Sequence, residues 1–195
     1  MNQPRITIFV RSANQRNRII RFLEQQFNIS PLPEDAESSG QLSEADLLIL
    51  NVPGLKRYRR EINRKKAQTA VHFPVLLVRD ESEEDDYSAY SPQSFDDVIF
   101  TPIDRYELNL RVSALLRTRR YSHESQSRFA TLAENQPTGV MLIKNERIEY
   151  VNQAFEQILN TKRDQLQGTK YFAFVDPADR KVLQAKYEEL LAPPE

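Results

Sequence analysis

The first 118 residues alternate between two patterns of apolar positions. Four short apolar runs predict strands: Ile6–Val10, Leu47–Val52, Phe73–Val78 and Val98–Phe100. A fifth and weaker strand is predicted near Asn28–Leu32. Between these runs the apolar residues recur every three or four positions, which predicts helices. Because strands alternate with helices, we expect an α/β fold with a doubly wound, five-stranded parallel sheet covered by helices on both faces.

Polar residues indicate where several of these helices begin. Ser12 and Gln15 have the spacing of a capping box, and Asp104 and Glu107 repeat that spacing before the last helix of the sheet domain. That last helix carries an apolar stripe of Leu108, Val112, Leu115 and Leu116. Pro53-Gly54 is expected to end the central strand with a turn, and a basic helix is expected over residues 56–70.

The pattern changes after residue 118. Arg117–Arg128 is polar but contains neither proline nor glycine, so it can continue the preceding helix as a solvated extension. Two apolar segments around Lys144–Glu146 then predict an antiparallel hairpin, and further helices are expected from about Asn152 and over Ala178–Leu191.

These changes of pattern divide the chain into three predicted parts. We expect a sheet domain over residues 1–118, a linker helix over 119–130 and a smaller α+β domain over 131–195.

Composition excludes several classes of function. The 27 basic and 28 acidic residues leave a formal net charge of −1, so bulk charge gives no reason to expect a nucleic-acid or membrane partner. The absence of cysteine excludes disulfides and thiolate metal sites and fits a reducing cytoplasm. Only two histidines and four isolated glycines are present, so we predict neither a metal site nor a phosphate-binding glycine loop. No cofactor is expected.

The segment Ala45–Gly54 resembles the third strand of a receiver domain of the response-regulator family, and the resemblance covers about the first 118 residues. Receivers carry a phosphate-accepting aspartate where this chain has Asn51. A neutral amide is not the nucleophile that a carboxylate is, so the resemblance implies a receiver fold without phosphoryl transfer. Asp46 is the alternative acceptor, but it opens its strand, whereas active residues of parallel sheets lie at the carboxyl ends.

The other residues of this degenerate phosphoacceptor pocket depart from the receiver pattern together. Arg11 and Ser12 stand where acidic residues would hold Mg²⁺, Arg79 where a hydroxyl residue is usual, and Thr101 where a lysine precedes the proline. Phosphoryl transfer needs a nucleophile, a hard cation and a positive group on the transferred oxygens. Because all three requirements are unmet, we expect this part of the chain not to be an enzyme.

The last part of the chain resembles the beginning of a PAS domain. The matching segments are Ile148–Phe155, Asp164–Gly168 and Asp176–Asp179, with Asn160 in the place of a common glycine. A complete PAS fold would add three strands after the helix ending near Leu191, so we expect a fragment of a longer protein. The order receiver–PAS resembles the tandem degenerate GGDEF–EAL regulators of twitching motility. It implies a diguanylate cyclase, cyclic-di-GMP phosphodiesterase or histidine kinase as a missing output domain.

Two surfaces are candidates for protein partners. Receivers often pair through their last helix, so a homodimer is expected there, with Glu107, Leu108, Arg111 and Leu115 as the candidate interface and Arg117 as a further charge. The second surface is a basic run with the candidate docking residues Lys56, Arg57, Arg59, Arg60, Lys65 and Lys66. The interpretation that we favour for this run is a solvated face that the acidic run Asp80–Asp86 partly neutralises, and docking is the alternative.

We therefore expect a non-catalytic signalling module that dimerises and binds a protein partner without being phosphorylated. The alternatives are a monomeric docking adaptor that uses the basic run and a PAS module that senses a small ligand.

Overall fold

The computed structural model describes residues 3–32, 42, 44–80 and 94–191. The first part contains β1 (Arg5–Phe9), α1 (Ala13–Leu23), β2 (Asn28–Pro31), β3 (Leu47–Asn51), α2 (Val52–Gln68), β4 (Val75–Asp80) and β5 (Asp97–Thr101). After these come α3 (Arg105–Glu134), β6 (Met141–Lys144), β7 (Arg147–Val151), α4 (Gln153–Leu159), α5 (Arg163–Leu166), a 3₁₀ turn (Tyr171–Phe174) and α6 (Arg180–Leu191). Of the predicted acidic run, all but Asp80 lies outside the described residues.

The first five strands form one parallel sheet in the order β2-β1-β3-β4-β5. This is the doubly wound order in which the strand sequence reverses between β1 and β3. The predicted fold class is confirmed, including the weak strand β2. In such sheets ligands and reactive residues collect at the carboxyl edge, so that edge is where the residues of a receiver pocket should lie.

The central strand is buried on both faces of the sheet. Leu47 and Ile49 belong to a core with α1 and α3, whereas Leu48 and Leu50 belong to a core with α2 on the opposite face. All four side chains have 0% exposure, and burying each contributes about 1.5–3 kcal/mol. A continuous apolar run therefore serves two cores at once, which is why it does not alternate with polar residues.

The start of α2 differs from the sequence prediction. Pro53-Gly54 does not form a separate turn; α2 begins directly at Val52, with Pro53 in its first turn. Proline is favoured there because its missing N–H would have no partner in the helix anyway. Gly54 allows close packing, since a Cβ at this position would lie 2.6 Å from Cδ1 of Phe9.

Helix α3 is continuous over thirty residues, from Arg105 to Glu134. The predicted helical continuation through Arg117–Arg128 is therefore confirmed. The chain separates into two compact units, residues 1–126 and 127–195, called unit 1 and unit 2 below. The domain limits expected from sequence, at 118 and 131, stay predictions.

Unit 2 contains the predicted hairpin. Strands β6 and β7 pair antiparallel, and Asn145 and Glu146 between them both have positive φ, as a tight hairpin turn requires. Asn160 ends α4 in the left-handed conformation, which accounts for an asparagine where glycine is usual. Ile148, Val151, Leu166 and Tyr171 form its small core. Within the described ranges, no helix combines the length and apolar character needed to cross a bilayer.

Candidate functional site

The residues expected in a receiver pocket lie around the carboxyl edge of the sheet. Asn51 ends β3 and is paired in register with Val78, while Asp80 of β4 lies opposite Thr101 of β5. Arg11 follows β1 and is exposed. The sheet therefore brings these segments to the edge at which a receiver performs its chemistry.

Asn51 has a structural role at this edge. Its backbone is extended, and its side-chain oxygen accepts a hydrogen bond from the backbone N–H of Gly54 at 3.3 Å, which caps α2. Asparagine is among the best residues for this purpose. The same atom would have to carry charge to attack phosphorus, and an amide oxygen does not.

The position of Arg79 corrects the sequence prediction. It was expected to follow β4, but it lies inside that strand, in register with Phe100. Only 6% of Arg79 is exposed, and its guanidinium carbon lies 5.9 Å from the centre of the Phe100 ring. The cation of this buried side chain thus packs over an aromatic face, which is a favourable contact for a desolvated guanidinium.

The remaining residues of the degenerate phosphoacceptor pocket lie at the ends of strands and helices. Ser12 caps α1 by accepting a hydrogen bond from the N–H of Gln15 at 3.4 Å, as its spacing predicts. Thr101 ends β5, and the Thr101–Pro102 peptide bond is cis. No carboxylate stands at the Arg11–Ser12 position, so the first strand supplies no Mg²⁺ ligand there.

Asp46 lies at the opposite, amino edge of the sheet. Its carboxylate accepts a hydrogen bond from the backbone N–H of Arg5 at 3.0 Å and forms an ion pair with Arg119 at 3.1 Å. Arg119 also donates to the carbonyl of His72 at 2.9 Å. Asp46 therefore fastens α3 to the sheet, and this placement supports Asn51 as the counterpart of the receiver aspartate.

Two of the four residues predicted for the dimer interface are buried, so that part of the prediction is wrong. Leu108 has 0% exposure and Leu115 has 9%, because both fill the core between α3 and the sheet. Glu107 and Arg111 are nearer the surface, but they bind each other at 2.8 Å, and Arg111 also binds Asp97 at 2.7 Å. The hydrogen bonds that Arg111 donates, first to Asp97 and then to Glu107, raise the pKa of Arg111.

The exposed apolar residues of α3 are different ones. Tyr106 is 78% exposed, Leu110 57% and Tyr121 57%. At 100° per residue these three positions fall within about 60° of one another around the helix. Sequence reasoning missed these residues because the apolar stripe from Leu108 to Leu116, which packs on the sheet, is the more regular pattern. Their spacing of four and eleven residues was nevertheless visible in the sequence.

The six basic residues of the candidate docking face have different environments in the structure. Lys65 turns inward: its ammonium donates to the carbonyl of Leu42 and lies 3.9 Å from the centre of the Phe73 ring. Burial, above all, lowers the pKa of Lys65 to about 8. Lys66 forms an ion pair with Asp96 at 2.7 Å. Lys56, Arg57, Arg59 and Arg60 are exposed on α2.

Asn152 makes four side-chain hydrogen bonds within the described part of unit 2. It has 0% exposure, and its oxygen accepts from the N–H groups of Val140 at 2.8 Å and Phe155 at 3.0 Å. Its NH₂ group donates to the carbonyls of Ala133 at 2.8 Å and Thr138 at 2.9 Å. Its predicted capping of α4 is confirmed, and the contact with Ala133 adds a tie to the end of α3.

A second set of contacts joins the end of α3 to α4, α5 and β7. Glu134 accepts a hydrogen bond from the backbone N–H of Gln153 at 2.8 Å and pairs with Arg163 at 3.1 Å. The hydrogen bond from Gln153 is the main cause that lowers the pKa of Glu134. The rings of Phe129 and Tyr150 meet edge to face at 5.5 Å. The last turns of α3 are therefore part of unit 2.

Over the described part of the chain, no three His, Asp or Glu side chains come together as a metal site.

Comparison with known proteins gives a family match for residues 127–190 and fold matches among solved structures. The family model for a PAS domain matches residues 127–190. No curated protein matches the chain.

Solved structures match the receiver fold of unit 1. NtrX from Brucella abortus, in complex with ADP, matches at 14% identity over 75% of this chain and 33% of that chain, with a TM-score of 0.56. A putative two-component system response regulator/GGDEF domain protein matches at 19% identity over 60% of this chain and 51% of that chain, with a TM-score of 0.51. The chain thus spans about a third and a half of these two proteins. Taken with the geometry, these matches show that unit 1 has a receiver fold and that residues 127–190 are similar to a PAS domain.

Proposed function

We propose that this chain is a non-catalytic relay that pairs with a second copy of itself and passes a signal without being phosphorylated. The observation that carries the proposal is the amide side chain of Asn51 at the end of β3. Its side-chain oxygen caps α2, and no carboxylate stands at the neighbouring Arg11 or Ser12. With an amide at Asn51 and no acidic residue directly after β1, the phosphorylation that switches a receiver lacks its usual nucleophile and its usual Mg²⁺ ligands.

Pairing through α3 is supported by the exposed side chains of that helix. Tyr106, Leu110 and Tyr121 offer apolar surface on one side of it. We assign these residues to the dimer contact in place of the buried Leu108 and Leu115. A contact along α3 can bias that helix between arrangements, which is the physical requirement for a relay.

The proposed output of the relay rests on the kind of domain found in one of the matched proteins. One of the matched structures is, by its name, a two-component system response regulator/GGDEF domain protein. We infer a cytoplasmic protein partner or output domain concerned with cyclic-di-GMP, and no role for nucleic acid or membrane.

The test is the intact mass of the chain after incubation with acetyl phosphate and Mg²⁺. We expect the mass to stay at that of the unmodified 22.8 kDa chain, while a receiver with its aspartate intact gains one phosphoryl group in parallel. A phosphoryl adduct on this chain, mapped to any residue of unit 1, would overturn the proposal. Mapping to Asp46 would in addition mean that the strand alignment is shifted.

A further inference from the structure

A groove lies at the amino edge of the sheet in unit 1, on the side away from Asn51. Its volume is about 550 Å³, which falls within the range of small-molecule sites. Pro4, Phe27 and Leu116 form an apolar floor, and each is half-buried. This groove, called the amino-edge groove below, is separate from the degenerate phosphoacceptor pocket and from the basic run on α2.

The wall of the amino-edge groove is basic. Arg117, Arg120 and His123 follow one another at three-residue spacing along α3, and all three are exposed. Side chains at this spacing lie on one face of a helix. The wall therefore presents two permanent positive charges and an imidazole above apolar surface.

These charges are only weakly neutralised within the described part of unit 1. Asp46 is the one carboxylate among the groove residues, and it already pairs with Arg119 at 3.1 Å. The nearest acid to Arg120 is Glu124 at 3.8 Å, in an exposed pair that contributes about 0–1 kcal/mol. Arg117 has no ion pair among the described side chains.

We propose that the amino-edge groove binds a small amphipathic organic anion, with its phosphate or carboxylate held by Arg117 and Arg120 and its apolar body on Phe27 and Leu116. Guanidinium groups suit this purpose because their fork of N–H donors matches phosphate and carboxylate oxygens. The apolar floor excludes free inorganic phosphate as the preferred ligand, since it would leave that surface uncovered. The ligand would thus reach α3 directly, at the helix that leads into unit 2.

The experiment titrates the full chain with 1-naphthyl phosphate and follows backbone amide resonances by NMR. We expect saturable shifts at Phe27, at Asp46 and along residues 113–123, with a dissociation constant below about 1 mM. Inorganic phosphate and 1-naphthol, each carrying half of the chemistry, should bind at least about tenfold more weakly.

Two double variants locate the site. Arg117→Glu with Arg120→Glu should weaken binding at least about tenfold, and the milder Arg117→Gln with Arg120→Gln should do so if charge reversal disturbs folding. The matched control, Arg59→Glu with Arg60→Glu on α2, changes the net charge equally and should leave binding unchanged. Equal loss in the control, equal binding of phosphate or naphthol, or no saturable shift in the groove would each overturn the proposal.

Discussion

At the scale of single residues, Asn51 supports the receiver fold by capping α2 but lacks the carboxylate that would accept a phosphoryl group. Its side chain can be tested by replacement with the receiver's own residue, because aspartate and asparagine cap helices equally well. We expect Asn51→Asp to change the free energy of unfolding by less than about 0.5 kcal/mol. We also expect no phosphoryl gain from acetyl phosphate and Mg²⁺, since Arg11, Ser12 and Thr101 still supply neither a cation site nor a lysine. A phosphorylated Asn51→Asp chain would mean that Asn51 alone blocks the chemistry.

Lys65 makes a prediction about pH. Its pKa is about 8 in the folded chain against 10.5 for an ordinary lysine, so the unfolded chain binds more protons between these values. The free energy of unfolding should therefore gain a positive contribution as pH rises from 8 to 10.5. Urea titrations of the wild type and of Lys65→Met across this range should differ in slope in that direction. Parallel curves would show that Lys65 titrates normally.

Asn152 gives the strongest expectation for stability in unit 2. Its replacement by alanine leaves the N–H of Val140 and the carbonyls of Ala133 and Thr138 without their bonds. Ala133 is buried, Val140 half-buried and Thr138 exposed, so at about 0.5–1.5 kcal/mol for each lost hydrogen bond we expect a loss of about 2–4 kcal/mol. Hydrogen exchange of the amides in β6, β7 and α4 should measure it. The neighbouring Gln153→Ala, whose side chain is exposed, serves as the control and should change little.

At the scale of elements, the start of α2 depends on Gly54. Gly54→Ala should improve helix propensity by at most about 1 kcal/mol, but its Cβ would meet the buried ring of Phe9. Overpacking costs about 1–3 kcal/mol, so we expect net destabilisation of about 1–2 kcal/mol in chemical unfolding. Phe9→Leu should cost less stability in the Gly54→Ala background than it does in the wild type. Additive losses would contradict a clash between these two residues.

The elements also show what sequence can predict. Ser12, Asp104 and Asn152 cap helices as predicted, because capping depends on a few neighbouring residues. The four apolar residues of β3 were clear from the sequence because burial on both faces of the sheet requires a continuous apolar run. Pro53-Gly54 was misinterpreted, since proline is suited both to turns and to first helical turns.

The candidate surfaces were harder to predict for a physical reason. Lys65 and Leu108 are indistinguishable in sequence from surface lysines and interface leucines, and only packing against Phe73 and the sheet places them inside. The amino-edge groove joins Phe27, Leu116 and Arg117, which are distant in sequence and meet only through the fold. Asn51 and Thr101 of the degenerate phosphoacceptor pocket, by contrast, lie at strand ends as expected, because the end of a strand is a local feature of the sequence.

At the scale of the whole molecule, the proposal concerns a dimer built on α3. Leu110→Glu would place a carboxylate in the proposed contact, at a position that is 57% exposed in the chain. We expect the variant to be monomeric with an unchanged thermal unfolding midpoint, because the core is not touched. Val182→Glu, at an equally exposed apolar position on α6, is the control and should remain dimeric. A dimer that survives Leu110→Glu would place the contact elsewhere.

Sedimentation equilibrium of the chain with and without acetyl phosphate and Mg²⁺ tests pairing and its independence of phosphorylation together. We predict twice the 22.8 kDa chain mass in both conditions, with the same dissociation constant. A monomer in both conditions, or a dimer that forms only with the phosphodonor, would contradict a relay that pairs without phosphorylation.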